Sequence, residues 1–183
     1  MKIAILLPYK ENFTKNNAGA VSIFVNDTNQ LSNYKNKIKV FGSTEKKNKL
    51  KNYTNIILKK NILLNTSNQY LKNFSKIISH EKIDILEIHN RPHYIDYLDK
   101  ISNSKKILFF HNDPLKMQGS NTITERINLL NKTDKIIFNS KWSKSRFLIN
   151  LPNNVDKNKI VIIQQSTSKT KINFNNKRKI ISF

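Results

Sequence analysis

Short apolar runs alternate with longer amphipathic stretches along most of the chain, and this rhythm leaves few architectures open. A strand covered by helices on both sides reads as an unbroken apolar run rather than as an alternation. The amphipathic stretch between two such runs is then the crossover that parallel pairing requires. Ile3–Leu7, Ile38–Phe41, Ile56–Leu58, Ile83–Ile88, Ile107–Phe110, Ile136–Phe138 and Ile160–Ile163 are the expected strands. After the first, Val21, Phe24, Val25, Thr28 and Leu31 share one helical face within Ala18 to Tyr34. Leu71, Phe74, Ile77 and Ile78 form a second stripe in Thr66 to His80, with Thr66 or Ser67 as its cap. Thr122 and Glu125 have capping-box spacing ahead of Ile127 and Leu130, and Ser140 is placed to cap a helix carrying Trp142 and Phe147. The expected fold class is α/β, a Rossmann-like parallel sheet with helices on both faces.

With 183 residues, 38% of them hydrophobic, there is room for one core and a short extension. Cysteine is absent, which removes disulfides and thiolate chemistry and makes a reducing cytoplasm the default compartment. The apolar start Ile3–Leu7 is too short for a signal peptide, and no run approaches the roughly 18 apolar residues that cross a bilayer. The formal net charge of +21 invites a polyanionic partner. Yet the excess is Lys rather than Arg, dispersed among Asn and Ile, while Phe and Tyr fall mostly at core positions. A stacking platform for single strands needs those aromatics interleaved on an exposed basic face. Solvated surface is the plainest account of the charge, peripheral contact with an anionic membrane comes next, and nucleic acid comes last.

In open parallel sheets, ligands bind outside the carboxyl ends of the strands. The unusual residues collect in those loops: Pro8 to Gly19, His89 to Tyr94, His111 to Gly119 and Asn139 to Trp142. Asn17, Ala18 and Gly19 lead into the first helix. A glycine there lets backbone N–H groups approach an anion that the helix dipole favours, an ordinary tight turn being the alternative. Only three glycines occur, and neither G-x-G-x-x-G nor a P-loop is among them, so nicotinamide dinucleotides and ATP hydrolysis fall away.

His89 and His93 have the spacing of a metal pair on a helix, but Pro92 argues against that helix and no carboxylate or Cys completes the set. No metal is expected. Arg91 carries forked donors suited to phosphate or carboxylate. His111, Asn112 and Asp113 follow a bulky buried run, where polar groups are costly unless bonded or used. Asp113 is near enough in sequence to orient His111, but chain neighbours often cannot meet face to face, and no dyad is assigned. The G-x-S-x-G elbow is missing, and Asp96 and Asp99 read as helix-surface residues rather than a glycosidase pair.

At these loops the sequence resembles the family 4 glycosyltransferases of the two-lobed GT-B fold. The resemblance rests on MKIAILLPY followed by NNAGAVS, then EIHNRP, FFHNDP with GSNTITER, and IIFNSKWSK. These stand in the order and spacing of that family's amino-terminal lobe, over most of residues 1–163. The resemblance implies retaining transfer of a sugar from a nucleotide-sugar donor, with no cofactor and no essential metal. The lack of an Asp-x-Asp pattern agrees with it. It also implies that this lobe holds the acceptor, a glycan or lipid-linked molecule of cell-envelope polysaccharide or lipopolysaccharide assembly. The loop that approaches the donor diphosphate falls on Ala18 and Gly19, where the family often has Gly-Gly. The strand-end histidine near the transferred sugar, the candidate catalytic residue, falls on His111. Arg91, Ser140 and Trp142 fall at acceptor or cleft positions, with His89, Asn112 and Asp113 beside them as candidate substrate contacts.

Residues 1–163 are thus expected to form the acceptor-side lobe. Residues 164–178 are polar and basic without periodicity and read as a linker, and 179–183 read as the first strand of a further domain. In the family, that second lobe carries the basic pair and the glutamates that grip the donor. A departing diphosphate and a developing oxocarbenium charge must be stabilised together, and lobe closure excludes competing water. The 183 residues are therefore expected to fold without catalysing transfer alone. The alternative is a stand-alone, non-catalytic module that binds an anionic ligand or nucleic acid. A third reading is another nucleotide-sugar enzyme with a similar lobe, such as an epimerase.

Overall fold

A computed structural model describes residues 1–47, 49–58 and 66–165. Its strands are β1 (Ile3–Leu6), β2 (Ile38–Gly42), β3 (Tyr53–Asn55), β4 (Ile85–His89), β5 (Lys105–Phe110), β6 (Lys135–Phe138) and β7 (Ile160–Ile162). Its helices are α1 (Ala20–Leu31), α2 (Thr66–Ile78), α3 (Ile95–Ile101), α4 (Ile123–Lys132) and α5 (Lys141–Leu148). The strands form one sheet in the order β3-β2-β1-β4-β5-β6-β7, and every pairing is parallel. This is the expected Rossmann-like α/β architecture.

The direction of winding reverses between β1 and β4. From β1 the chain steps outward to β2 and β3, then crosses back and proceeds the other way through β4 to β7. A right-handed crossover puts its helix on one face when the chain steps one way and on the opposite face when it steps the other. The cores follow that rule. Val21 and Val25 of α1 pack with Ile5, Leu7 and Val40 on one face. Tyr70, Leu71 and Phe74 of α2, Leu98 of α3, Leu129 of α4 and Phe147 of α5 pack with Ala4, Leu6, Leu108 and Phe110 on the other. In that larger core Phe110 and Phe138 stack with centroids 5.3 Å apart, and Phe147 tilts against both.

Several boundaries differ from expectation. The third strand is Tyr53–Asn55, not Ile56–Leu58, because Val40, Phe41 and Gly42 pair with the residues just before the apolar run. Ile56 is nevertheless fully buried, whereas Ile57 is exposed, so the run marks packing beyond the ladder. Helix α1 stops at Leu31, which is 86% exposed and therefore no part of the buried stripe. Helix α3 had no apolar stripe long enough to announce it: only Ile95 and Leu98 face inward. Asp96 and Asp99 do lie on that helix, in ion pairs with Lys132 and Lys106.

Two of the three expected caps are present, while Thr66 and Ser67, expected to cap α2, lie within that helix. Thr122 and Glu125 close a reciprocal capping box, and Ser140 Oγ accepts the N–H of Ser143. No helix among the described residues is long and apolar enough to cross a membrane. Beyond residue 165, the expected linker and the expected strand 179–183 lie outside the described residues.

Candidate functional site

The loops after β1, β4, β5 and β7 converge where the winding reverses, the place at which doubly wound sheets bind ligands. At the end of β4, Asn90 adopts a left-handed backbone with φ 51°, a conformation that asparagine tolerates better than most residues. That bend lays Asn90 across the neighbouring strand. Its N–H donates to Phe109 O at 2.8 Å, and its Oδ1 accepts the N–H of His111 at 2.8 Å. From the other side, Asn139 Nδ2 donates to His111 O at 2.8 Å, and Ser143 Oγ donates to Asn139 Oδ1. The His111 backbone is thus clamped by both adjacent loops, with its polar groups satisfied. The loop beyond it lies directly on the β4 loop. A Cβ on Gly119, where φ is 88°, would sit 2.6 Å from the backbone nitrogen of His93, so glycine is required there.

The side chains enclose a cleft of about 350 Å³ lined by Pro8, Glu11, Ala20, Val21, Asn90, Arg91, His111, Asn112 and Gln165. His111 enters it from a stack of rings. His89 lies parallel to Phe109 at 5.0 Å and to His111 at 5.1 Å, while Phe24 meets both histidines edge-on. Burial, and then the neighbouring His89, lower the His111 pKa from 6.5 to about 3. At neutral pH this ring is therefore uncharged. Arg91 is different. Its Nη1 donates to its neighbour's carbonyl, Asn90 O, at 2.7 Å, and it has no ion-pair partner among the described residues. Its charge is felt nearby: burial first and Arg91 second hold His93 below the usual histidine range.

The amino terminus of α1 forms another wall. Gly19 is its N-cap, and the N–H of Ser22 donates to Glu11 Oε1 at 3.1 Å. A Cβ on Gly19 would overlap the Glu11 carboxyl group, so a larger residue there would displace that side chain. The anion at this helix terminus is thus the chain's own carboxylate, beside the Ala18–Gly19 turn that the sequence marked as an anion cradle.

Of the residues singled out in sequence, Arg91, His111 and Asn112 meet in the cleft, with Gly19 at its wall. The others have different positions. His89 is wholly buried beneath His111 and does not line the cleft. Asp113 turns away to accept Arg146 Nε at 3.3 Å and Nη2 at 3.1 Å, as well as the N–H of Leu115. Burial opposes its charge, but those donors prevail and hold it below the usual carboxylate range. Ser140 is a helix cap, and Trp142 is 59% exposed beneath the Arg146 guanidinium.

Three participants escaped the sequence reading. Glu87 is an acid inside the apolar run ILEIH, which was its one signal; Glu11 was an acid within the first loop; Gln165 carried no signal at all. A larger groove of about 960 Å³ lies at the opposite, amino ends of the strands, lined by residues such as Lys76, Ile78, Glu81, Asp84 and Ser104. Its polar cluster, in which Ser104 Oγ donates to Ile83 O and Lys106 Nζ donates to Ser104 O, lies at the ends of the strands where doubly wound sheets do not bind ligands, so volume does not outweigh the chemistry of the smaller cleft.

No family model matches the chain, and no curated protein matches it in sequence. Its fold does match solved structures. The sucrose-phosphate synthase of Thermosynechococcus elongatus superposes with a TM-score of 0.66 at 10% identity, over 91% of this chain and 49% of that one. A glycosyltransferase from Rickettsia africae ESF-5 gives 0.57 at 18% identity, over 90% and 43% respectively. The chain spans about half the length of each. The fold is therefore that of a glycosyltransferase-like α/β domain. Identities this low speak for the fold alone.

Proposed function

We propose that the chain is the acceptor-side lobe of a retaining glycosyltransferase of the hexosyltransferase type. It moves a sugar from a nucleotide-sugar donor to a glycan or lipid-linked acceptor of cell-envelope or lipopolysaccharide assembly. The observation that carries this reading is the joint presence of an uncharged histidine, His111, and an unpaired cation, Arg91, on one cleft at the switch point of such a sheet. Arg91 holds an anionic group, and His111 accepts a hydrogen bond from a sugar hydroxyl. Asn112 lies on the same wall. A dispersed lysine surface suits a place at the inner face of an anionic membrane, where a lipid-linked acceptor would be found.

Leaving-group chemistry limits what this cleft does alone. A departing nucleoside diphosphate needs cations, and among the described lining residues Arg91 is the one cation while Glu11 is an anion. We therefore expect the 183-residue chain to bind a nucleotide sugar but not to transfer it.

The test is nuclear magnetic resonance of the ¹⁵N-labelled chain, titrated with a panel of nucleoside diphosphate sugars. We expect saturable shifts at Arg91, His111 and Asn112, with Arg91→Ala weakening binding about 10- to 100-fold. No response to any sugar nucleotide or glycan, together with tight binding of single-stranded nucleic acid, would replace this reading with a non-catalytic binding module.

A further inference from the structure

Glu87 stands in the middle of an apolar strand, its side chain only 20% exposed, where an unbonded carboxylate would be costly. Its partner is His89, whose Nε2 lies 2.6 Å from Glu87 Oε1. The other nitrogen of that ring, Nδ1, lies 2.8 Å from His111 Nε2. His111 Nδ1 then faces the amide nitrogen of Gln165 at the cleft. Three contacts in series join an acid within the sheet to a ring at the surface, and each contact needs one proton.

The directions follow from what each group can do. A carboxylate only accepts, so His89 donates from Nε2. A neutral imidazole with its proton there has a lone pair at Nδ1, so His111 donates from Nε2. The lone pair of His111 is then at Nδ1, where the Gln165 N–H donates to it. Every contact is satisfied in this one sequence of donors and acceptors. A proton on His111 Nδ1 would instead meet the Gln165 N–H donor to donor and would require the amide to turn its oxygen inward.

We propose that Glu87 and His89 are positioning residues that lock His111 as its Nε2–H tautomer, so that the cleft is offered a lone pair at Nδ1 rather than an N–H. Such a group reads a hydrogen-bond donor, a sugar hydroxyl that takes the place of Gln165, and does not bind a phosphate oxygen. Selection is thereby divided: Arg91 takes the anion and His111 takes the hydroxyl. The identity of the ligand rests on the glycosyltransferase reading above; the tautomer does not.

Two measurements separate those claims. Long-range ¹H–¹⁵N correlation on histidine-labelled, ligand-free chain reads the tautomer directly. His111 is expected to be purely Nε2–H in the native chain and in His89→Asn, whose side-chain oxygen can replace the Nδ1 acceptor. It is expected to be mixed in His89→Phe and in Glu87→Gln, whose amide can either accept or donate. An Nδ1–H tautomer in the native chain would overturn the proposal, as would an unchanged, pure Nε2–H tautomer in a folded His89→Phe, which removes the Nδ1 acceptor altogether. The second measurement is the Kd for a nucleoside diphosphate sugar against that for the bare nucleoside diphosphate. In Glu87→Gln the former should weaken about threefold to tenfold and the latter stay constant; equal losses would overturn the positioning role. If neither ligand binds the native chain, the glycosyltransferase reading fails while the tautomer result still decides the lock.

Discussion

The two ends of the sheet treat charge in opposite ways. At the amino ends, charges are numerous, solvated and paired: Glu81 meets Lys39 at 2.9 Å, and Asp84 Oδ2 accepts the N–H of Lys2 at 2.6 Å and pairs with the amino terminus at 3.6 Å. At the carboxyl ends, the arginine that lines the cleft has no ion-pair partner among the described residues. The groove at the first end has nearly three times the volume of the cleft at the second. Yet at the smaller one the fixed polar network, from Ser143 through Asn139 and His111 to Asn90, holds a ring that itself lines the cleft. Volume marks where strands and helices fail to fill space. Function needs groups held in place with capacity left over.

The comparison is most exposed to failure at the base of the cleft. Phe110 is fully buried between Phe138 and Phe147, directly beneath the His111 loop. Phe110→Ala is expected to cost about 3–5 kcal/mol of stability, whereas Ile101→Ala on the groove, 43% exposed, should cost about 0.5 kcal/mol or less. Urea unfolding measures both; equal costs would mean that the two ends are equally well built. Binding comes next. Arg91→Ala should weaken a nucleotide sugar about 10- to 100-fold, while the triple change Lys76→Ala, Lys82→Ala and Lys105→Ala should stay within about twofold at physiological salt. A groove variant as harmful as the cleft variant would move the site to the other end.

The ends also differ in their response to acid. His111 has its pKa lowered to about 3, so between that value and 6.5 the unfolded chain binds a proton that the folded one refuses. Stability from this residue is complete above 6.5 and falls as the pH drops below it. At pH 5 the loss should be about 1 kcal/mol, less than the full linkage value because the ring borders solvent. His93, lowered by burial and then by Arg91, acts in the same direction. At the amino ends the sign is the same but the window lies at lower pH. A hydrogen bond from Lys39 lowers Glu81, and the Lys2 N–H lowers Asp84, so their contributions are lost only as the pH falls below their ordinary values of 4.5 and 3.8. His111→Phe should therefore flatten the profile from pH 6.5 down to about 3, leaving the Glu81 and Asp84 contributions below their ordinary values in place.

Much of this contrast was legible in the residues themselves. Six of the seven apolar runs coincide with strands, because a doubly covered strand tolerates few polar side chains, and loops after those runs held His111, Arg91 and Asn112. What was hidden depended on long-range geometry. Asp113 beside His111 in sequence suggested an orienting pair, but strand-end neighbours diverge, and Asp113 bonds Arg146 33 residues away. His89 looked like a ligand contact until its alternation along β4 turned it beneath His111. Glu87 stands two residues before His89 on β4 and bonds it, but the next partner, His111, lies on the adjacent strand's end.

The smallest expected effect tests the wall at α1. Its terminal N–H groups and dipole favour an anion, and Glu11 supplies one by accepting the N–H of Ser22 over Gly19. On the proposed reading, a nucleoside diphosphate would meet that carboxylate before the helix. Glu11→Gln keeps an oxygen to accept the Ser22 N–H but removes the charge, so it should tighten nucleoside diphosphate binding about two- to fivefold. Melting temperature should drop only slightly, since the lost dipole interaction is about 0.3–1 kcal/mol. Glu81→Gln at the opposite end alters the net charge equally and should leave the Kd unchanged. If both tighten binding alike, the gain is general electrostatics on a chain of formal charge +21, and the α1 terminus has no special place in the site. If Glu11→Gln alone does so, the carboxylate is a resident competitor for the anion position, and affinity at this end of the sheet is set by how readily it yields.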